Sequence, residues 1–317
     1  MPQQTVPIVG RDELLDQLDL VLARAASGAG SVVLIYGAAG IGKTRLCEQV
    51  AREHRDHGGR VLLGRAAPEE SAIAFAPVAD ALRSARRTEP QLWEAVQARS
   101  DLLSMIVPEL SAGMEAKNRP ADHPVLFEAL LDAVEESARG DEATFWVLDD
   151  VHWADDATWH FIHYATRRVA DMNLVLAITY RDEEIGPASP RWMGLVRLKR
   201  DPHVLSLLLY RLDSNNARRL IEALAPVLPA DGESMPSLHS QAAYLAWLRG
   251  DSELALMHVE HGLEAADRRG DDRSMWWAQH HHIHIDYRLT GDRSAAIGAF
   301  RDNVVAAKAL GITDGEA

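Results

Sequence analysis

The run Ser31-Val-Val-Leu-Ile-Tyr36 followed by Gly37-Ala-Ala-Gly-Ile-Gly42-Lys43-Thr44 constrains this chain more than any other segment. Six residues rich in β-branched and apolar side chains, without polar alternation, suit a parallel strand buried on both faces. Gly37 to Thr44 matches the pattern G-x-x-x-x-G-K-[ST], and TRLCEQVAREHRDHG behind it has helical composition. Strand, glycine-rich turn and helix in that order gather backbone N–H groups and a helix N-terminus around one point, where an anion such as phosphate is favoured. Gly37, Ala38, Ala39, Gly40, Ile41 and Gly42 are then expected to wrap the phosphates. Lys43 is expected to reach the β- and γ-phosphates, and the Thr44 hydroxyl to ligate Mg2+. A glycine-rich turn without nucleotide is the plain alternative.

Around this unit, apolar runs of strand length alternate with helical patterns. Residues 11–26 (RDELLDQLDLVLARAA) set Leu14, Leu18, Leu22 and Ala25 at helical spacing, and SGAG at 27–30 ends the helix. RVLLG (60–64) suits a second strand and FAPVADALRSA a helix. From about residue 90 to 140 the pattern is helical, with Leu126, Leu130, Leu131 and Val134 on one face. TFWVLDD (144–150) and NLVLAITYR (173–181) are further buried-strand runs. This alternation predicts an α/β fold, a mostly parallel sheet flanked by helices. At 47% hydrophobic residues, the chain has the apolar surface for such a core.

The Pro-, Gly- and Ser-rich PVLPADGESMPS (226–237) is the best boundary, giving an α/β domain over 1–228, a linker over 229–237 and a helical segment over 238–317. Arg249-Gly250-Asp251 and Thr290-Gly291-Asp292 stand 41 residues apart, and the same interval pairs Ala255-Leu256 with Ala296-Ile297 and Ala265-Ala266 with Ala306-Ala307. Small residues and Gly-Asp turns at that period predict a small all-α segment of tetratricopeptide-like helical hairpins.

Asp149 and Asp150 end an apolar strand, where carboxylates face the same crevice as the phosphate loop. Asp149 is expected to hold Mg2+ and Asp150 to polarise an attacking water; a solvated Asp pair is the alternative. Thr179 could sense the γ-phosphate, and Arg181 could bind it or simply cap the acidic run that follows. The chain has no guanine-reading Asn-Lys-x-Asp, so adenine is the expected base. With 33 Lys+Arg against 47 Asp+Glu, the net charge of −14 argues against a broad nucleic-acid surface. One cysteine, Cys47, permits no internal disulfide and reads as a buried packing residue, with a redox-sensitive thiol as the alternative. Neither a signal peptide nor an apolar run of about 20 residues is seen, so the expectation is a cytoplasmic protein with no membrane partner.

Val9-Gly10-Arg11 before a leucine-rich helix, GAAGIGKTRL, Gly64-Arg65 with Phe75-Ala76-Pro77, LFEALLDAVE, VLDDVHWAD and ITYRDEE carry a resemblance. Together, over about residues 7–225, they resemble the AAA-type ATPase module of the large bacterial LuxR-family transcriptional regulators, which are signal-transduction ATPases with numerous domains. The resemblance implies a P-loop NTPase fold and an ATP/ADP switch with Mg2+, gated by helical repeats. It adds Val9, Gly10, Arg11 and Arg45 to the nucleotide-binding set and makes Lys43, Asp150 and Arg181 the residues of hydrolysis. It also implies self-association or pairing with a related regulator, and an inducer, protein or small molecule, at the repeats. The lid and closing helix-turn-helix of those regulators are not seen, so direct DNA binding is not expected and a truncated or short paralogue fits best.

Two other functional classes stand beside the switch. One is an interaction module whose repeats bind a protein while the nucleotide site is structural or vestigial. The other is a P-loop kinase with a small-molecule acceptor. His280, His281, His282 and His284 form a tract in which His280 and His284 share a helix face, as metal ligands or as the polar face of a repeat helix. Trp276 and Trp277 are expected to pack within the repeats or to form a partner surface. His152 and Trp153 are expected near the active crevice.

Overall fold

A computed structural model describes residues 8–111, 123–137, 142–213, 215–216, 219–220, 239–240, 242–244, 246 and 252–310. The chain divides into two compact units, one of residues 11–211 and one of residues 1–10 with 212–317. The proposed linker, 229–237, lies outside the described residues.

The first unit holds five parallel strands: β1 (Ser31–Tyr36), β2 (Arg60–Arg65), β3 (Thr144–Asp149), β4 (Leu174–Tyr180) and β5 (Val204–Leu208). They lie in the order β2-β3-β4-β1-β5. Its helices are α1 (Asp12–Ala26), α2 (Lys43–Asp56), α3 (Ala76–Thr88), α4 (Pro90–Ala98), α5 (Ser100–Leu103), α6 (His123–Glu136), α7 (Asp156–Arg168) and α8 (Trp192–Leu198). Alternate strand residues feed two cores. Val33, Ile35, Phe145, Val147 and Val175 pack with α1 and α2, while Val32, Leu34, Trp146, Leu148 and Ile178 pack with α3, α6 and α7. A strand buried on both faces has no polar positions, which is why β1, β3 and β4 read as unbroken apolar runs.

The α/β expectation and its four strand segments hold. The sequence reading missed β5. Its residues are mostly half-buried, with Ser206 exposed and Leu207 buried, as suits an edge strand, and so lack the fully buried run of the others.

Gly64 shows how tightly α3 meets the sheet. A Cβ there would overlap the Pro77 carbonyl oxygen at the start of α3, so the pairing of Gly64 with Phe75-Ala76-Pro77 in sequence reflects a close backbone approach. Cys47 is buried on α2, and burial pushes its thiol up, away from the reactive thiolate.

In the second unit α9 (Ser252–Arg269), α10 (Asp272–Thr290) and α11 (Arg293–Ala309) follow one another, α9 packing on α10 and α10 on α11. Asp271 caps α10 through the Ser274 N–H at 3.0 Å, and Asp292 caps α11 through the Ala295 N–H at 3.0 Å. Of the segments at the 41-residue interval, Ala255-Leu256 and Ala265-Ala266 fall on α9 and Ala296-Ile297 and Ala306-Ala307 on α11, with Ala255, Ala265, Ala266 and Ala307 buried, while Arg249 to Asp251 lies outside the described residues. Trp276 is buried beside Ala307 and donates its indole N–H to the Asn303 carbonyl at 2.7 Å. Among the described residues, no helix is long and apolar enough to cross a membrane.

Candidate nucleotide site

The glycine-rich turn leaves β1 and enters α2 through Gly42, whose φ of 100° lies in the left-handed region that favours glycine. The Lys43 ammonium is folded back on the turn, donating to the Gly37 carbonyl at 2.8 Å and the Ala38 carbonyl at 2.9 Å. Burial lowers its proton affinity, the charges of Asp150 and Asp149 raise it, and Arg181 opposes it. Arg181 at the end of β4 therefore stands close enough to share this field. The Ala39 N–H donates to Glu183 Oε1 at 3.2 Å, so an anionic oxygen already sits on one amide of the turn.

One hydrogen-bonded set joins the turn to the sheet. Thr44 Oγ1 donates to Asp149 Oδ2 at 2.8 Å, and Thr179 Oγ1 donates to Asp149 Oδ1 at 2.5 Å. The Thr179 hydroxyl also accepts the Asp150 N–H at 2.8 Å. These contacts follow from the strand order, because β4 lies between β1 and β3 and brings Thr179 to the Walker-type carboxylates. Asp150 turns sharply off β3 at φ 56°, ψ 39°, a left-handed conformation that Asp tolerates better than most residues. Strain of this kind is concentrated at functional sites.

Arg65 was missing from the expected site. It ends β2 opposite Asp149, and its guanidinium lies 3.2 Å from Asp150 Oδ2 and 3.8 Å from Asp149 Oδ2. The register that pairs Arg65 with Asp149 depends on two strands far apart in sequence. Only the Gly64-Arg65 motif hinted at it. His152 is buried with Nδ1 3.9 Å from Asp150 Oδ1, and neither of its ring nitrogens has a hydrogen-bond partner among the described residues. Burial lowers its pKa against the pull of Asp150, favouring the neutral ring. Arg191 donates to the His152 carbonyl at 2.8 Å.

The expected residues divide by role. The structure brings Thr44, Asp149, Asp150 and Thr179 into hydrogen-bonding contact beside the turn of Gly37 to Lys43, while Arg181 directly follows β4. Arg11 donates to the Ile41 carbonyl at 3.3 Å and to the Tyr210 carbonyl at 2.7 Å, bracing the turn through the backbone. Arg45 reaches Glu48 at 4.0 Å on α2. Val9 and Gly10 belong to the second unit, where the Asn216 side chain occupies the space beside Gly10.

Asp155, last of VLDDVHWAD, has a structural task. Its carboxylate accepts the Ala157 N–H at 2.8 Å to cap α7 and also accepts the Phe75 N–H at 3.0 Å. Phe75 is held at φ 60° and buried against Phe127. Asp155→Ala removes the cap and strands a buried N–H, at a cost of about 2 kcal/mol. A fall of roughly 5 °C in Tm is the expected result in a thermal melt.

A family model described as AAA ATPase domain matches residues 7–178, more than half of the chain. The chain belongs to the AAA ATPase domain family. The AAA domain's strand–turn–helix, its acidic β3 end and Thr179 all lie within or one residue beyond that match. An uncharacterized protein of Rhizobium meliloti (strain 1021) is 27% identical over 221 residues, which are 63% of this chain and 21% of that protein. The chain thus spans about a fifth of the length of the curated relative it matches. Among solved structures, Aeropyrum pernix ORC1 in complex with DNA is similar at 19% identity and a TM-score of 0.44, over 85% of this chain and 63% of that one. AMPPCP-bound DnaA from Aquifex aeolicus is similar at 14% identity and a TM-score of 0.40, over 97% and 93%.

Proposed function

We propose that this AAA domain binds Mg-ATP and acts as a regulatory switch of the kind found in LuxR-family signal-transduction ATPases, with slow hydrolysis to ADP and phosphate. The observation that carries the reading is the set Thr44, Asp149, Thr179 and Asp150, bonded to one another at 2.5–2.8 Å across three elements. Through it, a change at the turn is felt at the ends of β3 and β4.

The residues present fit such a ligand. Gly40 and Gly42 leave open space above the turn, and the Ala39 N–H already holds a carboxylate oxygen where a phosphate oxygen has the same chemistry. Gly40 to Thr44 would hold the phosphates, and Thr44 with Asp149 would hold Mg2+. Mg2+, when bound, supplies charge that neutralises the phosphate oxygens. For its part the protein must move two groups: the Lys43 ammonium off the Gly37 and Ala38 carbonyls, and the Glu183 carboxylate off Ala39. Asp150, once released from Arg65, offers the carboxylate that orients a water. Arg181 adds positive charge where negative charge develops.

Under this reading α9 to α11 belong to a tetratricopeptide-like array that receives a protein or small-molecule inducer, and the switch drives self-association or pairing with a related regulator.

The deciding experiment is to denature freshly purified protein and quantify released nucleotide by chromatography. Near-stoichiometric ADP or ATP is expected. A second reading, an interaction module with a vestigial nucleotide site, draws on the internal satisfaction of Lys43 and Ala39, which leaves the turn complete without a ligand. An empty site that also fails to take up Mg-ATP would favour it.

A further inference from the structure

The histidine tract on α10 is packed among aromatic rings. His280 stacks on Trp276 with centroids 5.3 Å apart, meets Phe300 at 5.7 Å, and bonds Asn303 Oδ1 through Nδ1 at 3.2 Å. A different trio, of which His258 and His261 stand three residues apart on α9, gathers its ring nitrogens at one point. His239, His258 and His261 each present one ring nitrogen or the other such that all three nitrogens lie within 4.8 Å of one another. His239 Nδ1 and His258 Nδ1 face each other at 3.2 Å. Nitrogens bound to one tetrahedral Zn2+ at about 2.0–2.1 Å stand roughly 3.3 Å apart, so this pair already has the spacing of one edge of a zinc site.

The surroundings favour neutral rings with lone pairs to offer. His239 and His258 are buried to 0% and 1% exposure, while His261 is half-buried. Burial, then the neighbouring His258 and His261, push the His239 pKa down to about 4. Burial, then His261, lowers that of His258. Two facing Nδ1 atoms can share one proton or direct both lone pairs at one cation. His258 Nε2 is buried without a hydrogen-bond partner among the described residues.

Among the described residues, Ala243, Ala246, Ala255, Val259 and Ile285 form a buried cluster in this unit, with Leu254, Leu256 and Leu263 packed against it.

We propose that His239, His258 and His261 form a Zn2+ site, its fourth position open to water, which pins the segment around residue 239 to α9. An all-imidazole set selects a borderline-soft ion such as Zn2+ over Mg2+ or Ca2+, which take oxygen ligands.

The test uses the tag-free 317-residue chain, stripped with chelator and titrated with Zn2+ against a chromophoric competitor. One equivalent that survives gel filtration is expected, with Co2+ substitution giving the intense visible bands of a four-coordinate ion. His258→Gln and His261→Gln are each expected to weaken binding by about 100-fold or more, since even outer partners of metal ligands are worth about 10–100-fold. A His280→Gln/His284→Gln double variant should retain full affinity. His261 is half-buried, so His261→Gln with unchanged far-UV circular dichroism keeps the test valid where His258→Gln fails to fold. No retained Zn2+ in the wild type, or retained Zn2+ that follows the His280/His284 variant and ignores His261→Gln, overturns the proposal.

Discussion

Lys43→Ala is expected to lower the affinity for Mg-ATP by about 100-fold, equivalent to about 3 kcal/mol. The ammonium is the one buried cation anchored on the turn itself among the described residues, bonded to the Gly37 and Ala38 carbonyls and facing the field of Asp149 and Asp150. A triphosphate brings several negative charges to that point, and without Lys43 they meet two carboxylates with less compensation. Folding loses a donor to one buried and one part-buried carbonyl, which costs about 1–3 kcal/mol. Isothermal titration with Mg-ATP, alongside a thermal melt, separates the effects. Unchanged affinity in a folded variant would place the nucleotide elsewhere or remove it from the function altogether.

The coupling across the sheet explains why this turn and these carboxylates form one device. Thr179 sits on β4, between the strand that carries the turn and the strand that carries the acids, and its hydroxyl both donates to Asp149 and accepts from Asp150. A side chain with both hydrogen-bonding roles is needed there. Its position at a buried strand end explains why Thr suits it: β-branched, compact and bifunctional. The expectation that Thr179 senses phosphate becomes more specific in this light, since it touches the two carboxylates that would respond.

Local patterns carried most of what could be read in advance. β1, the turn and α2 are contiguous, and the glycines, lysine and threonine each have a physical task that spacing alone reveals. β3 and β4 were legible because strands covered on both faces have no room for polar residues. β5 escaped because an edge strand mixes exposed and half-buried positions. Arg65 escaped because its partners lie more than 80 residues away and depend on strand register. Asp155 closes the segment VLDDVHWAD, and that it accepts a backbone N–H from Phe75, 80 residues before it, left no local trace. The His239 cluster joins His258 and His261, one turn apart on α9, to a histidine 19 residues before His258, a pairing no spacing shows, whereas the conspicuous tract at 280–284 packs on aromatic rings. Tertiary proximity, unlike periodicity, leaves little trace in a single sequence.

Asp150→Asn is expected to leave Mg-ATP binding within about threefold while cutting single-turnover hydrolysis by about 100-fold or more, the usual scale for losing a positioned base. Asparagine matches aspartate in size and accepts the left-handed conformation that Asp150 adopts at φ 56°, so the β3 end and its backbone bond to Thr179 should survive. What disappears is the negative charge, and with it the ion pair to Arg65. That pair also yields the contrasting variant. Arg65 is 65% exposed, so Arg65→Ala disturbs little packing and frees the Asp150 carboxylate, and a several-fold rise in turnover is expected. The two variants thus move hydrolysis in opposite directions at nearly constant affinity. Equal losses of binding and turnover in Asp150→Asn would instead assign this carboxylate to holding the ligand, and a fall in Arg65→Ala would make the guanidinium part of the hydrolytic machinery.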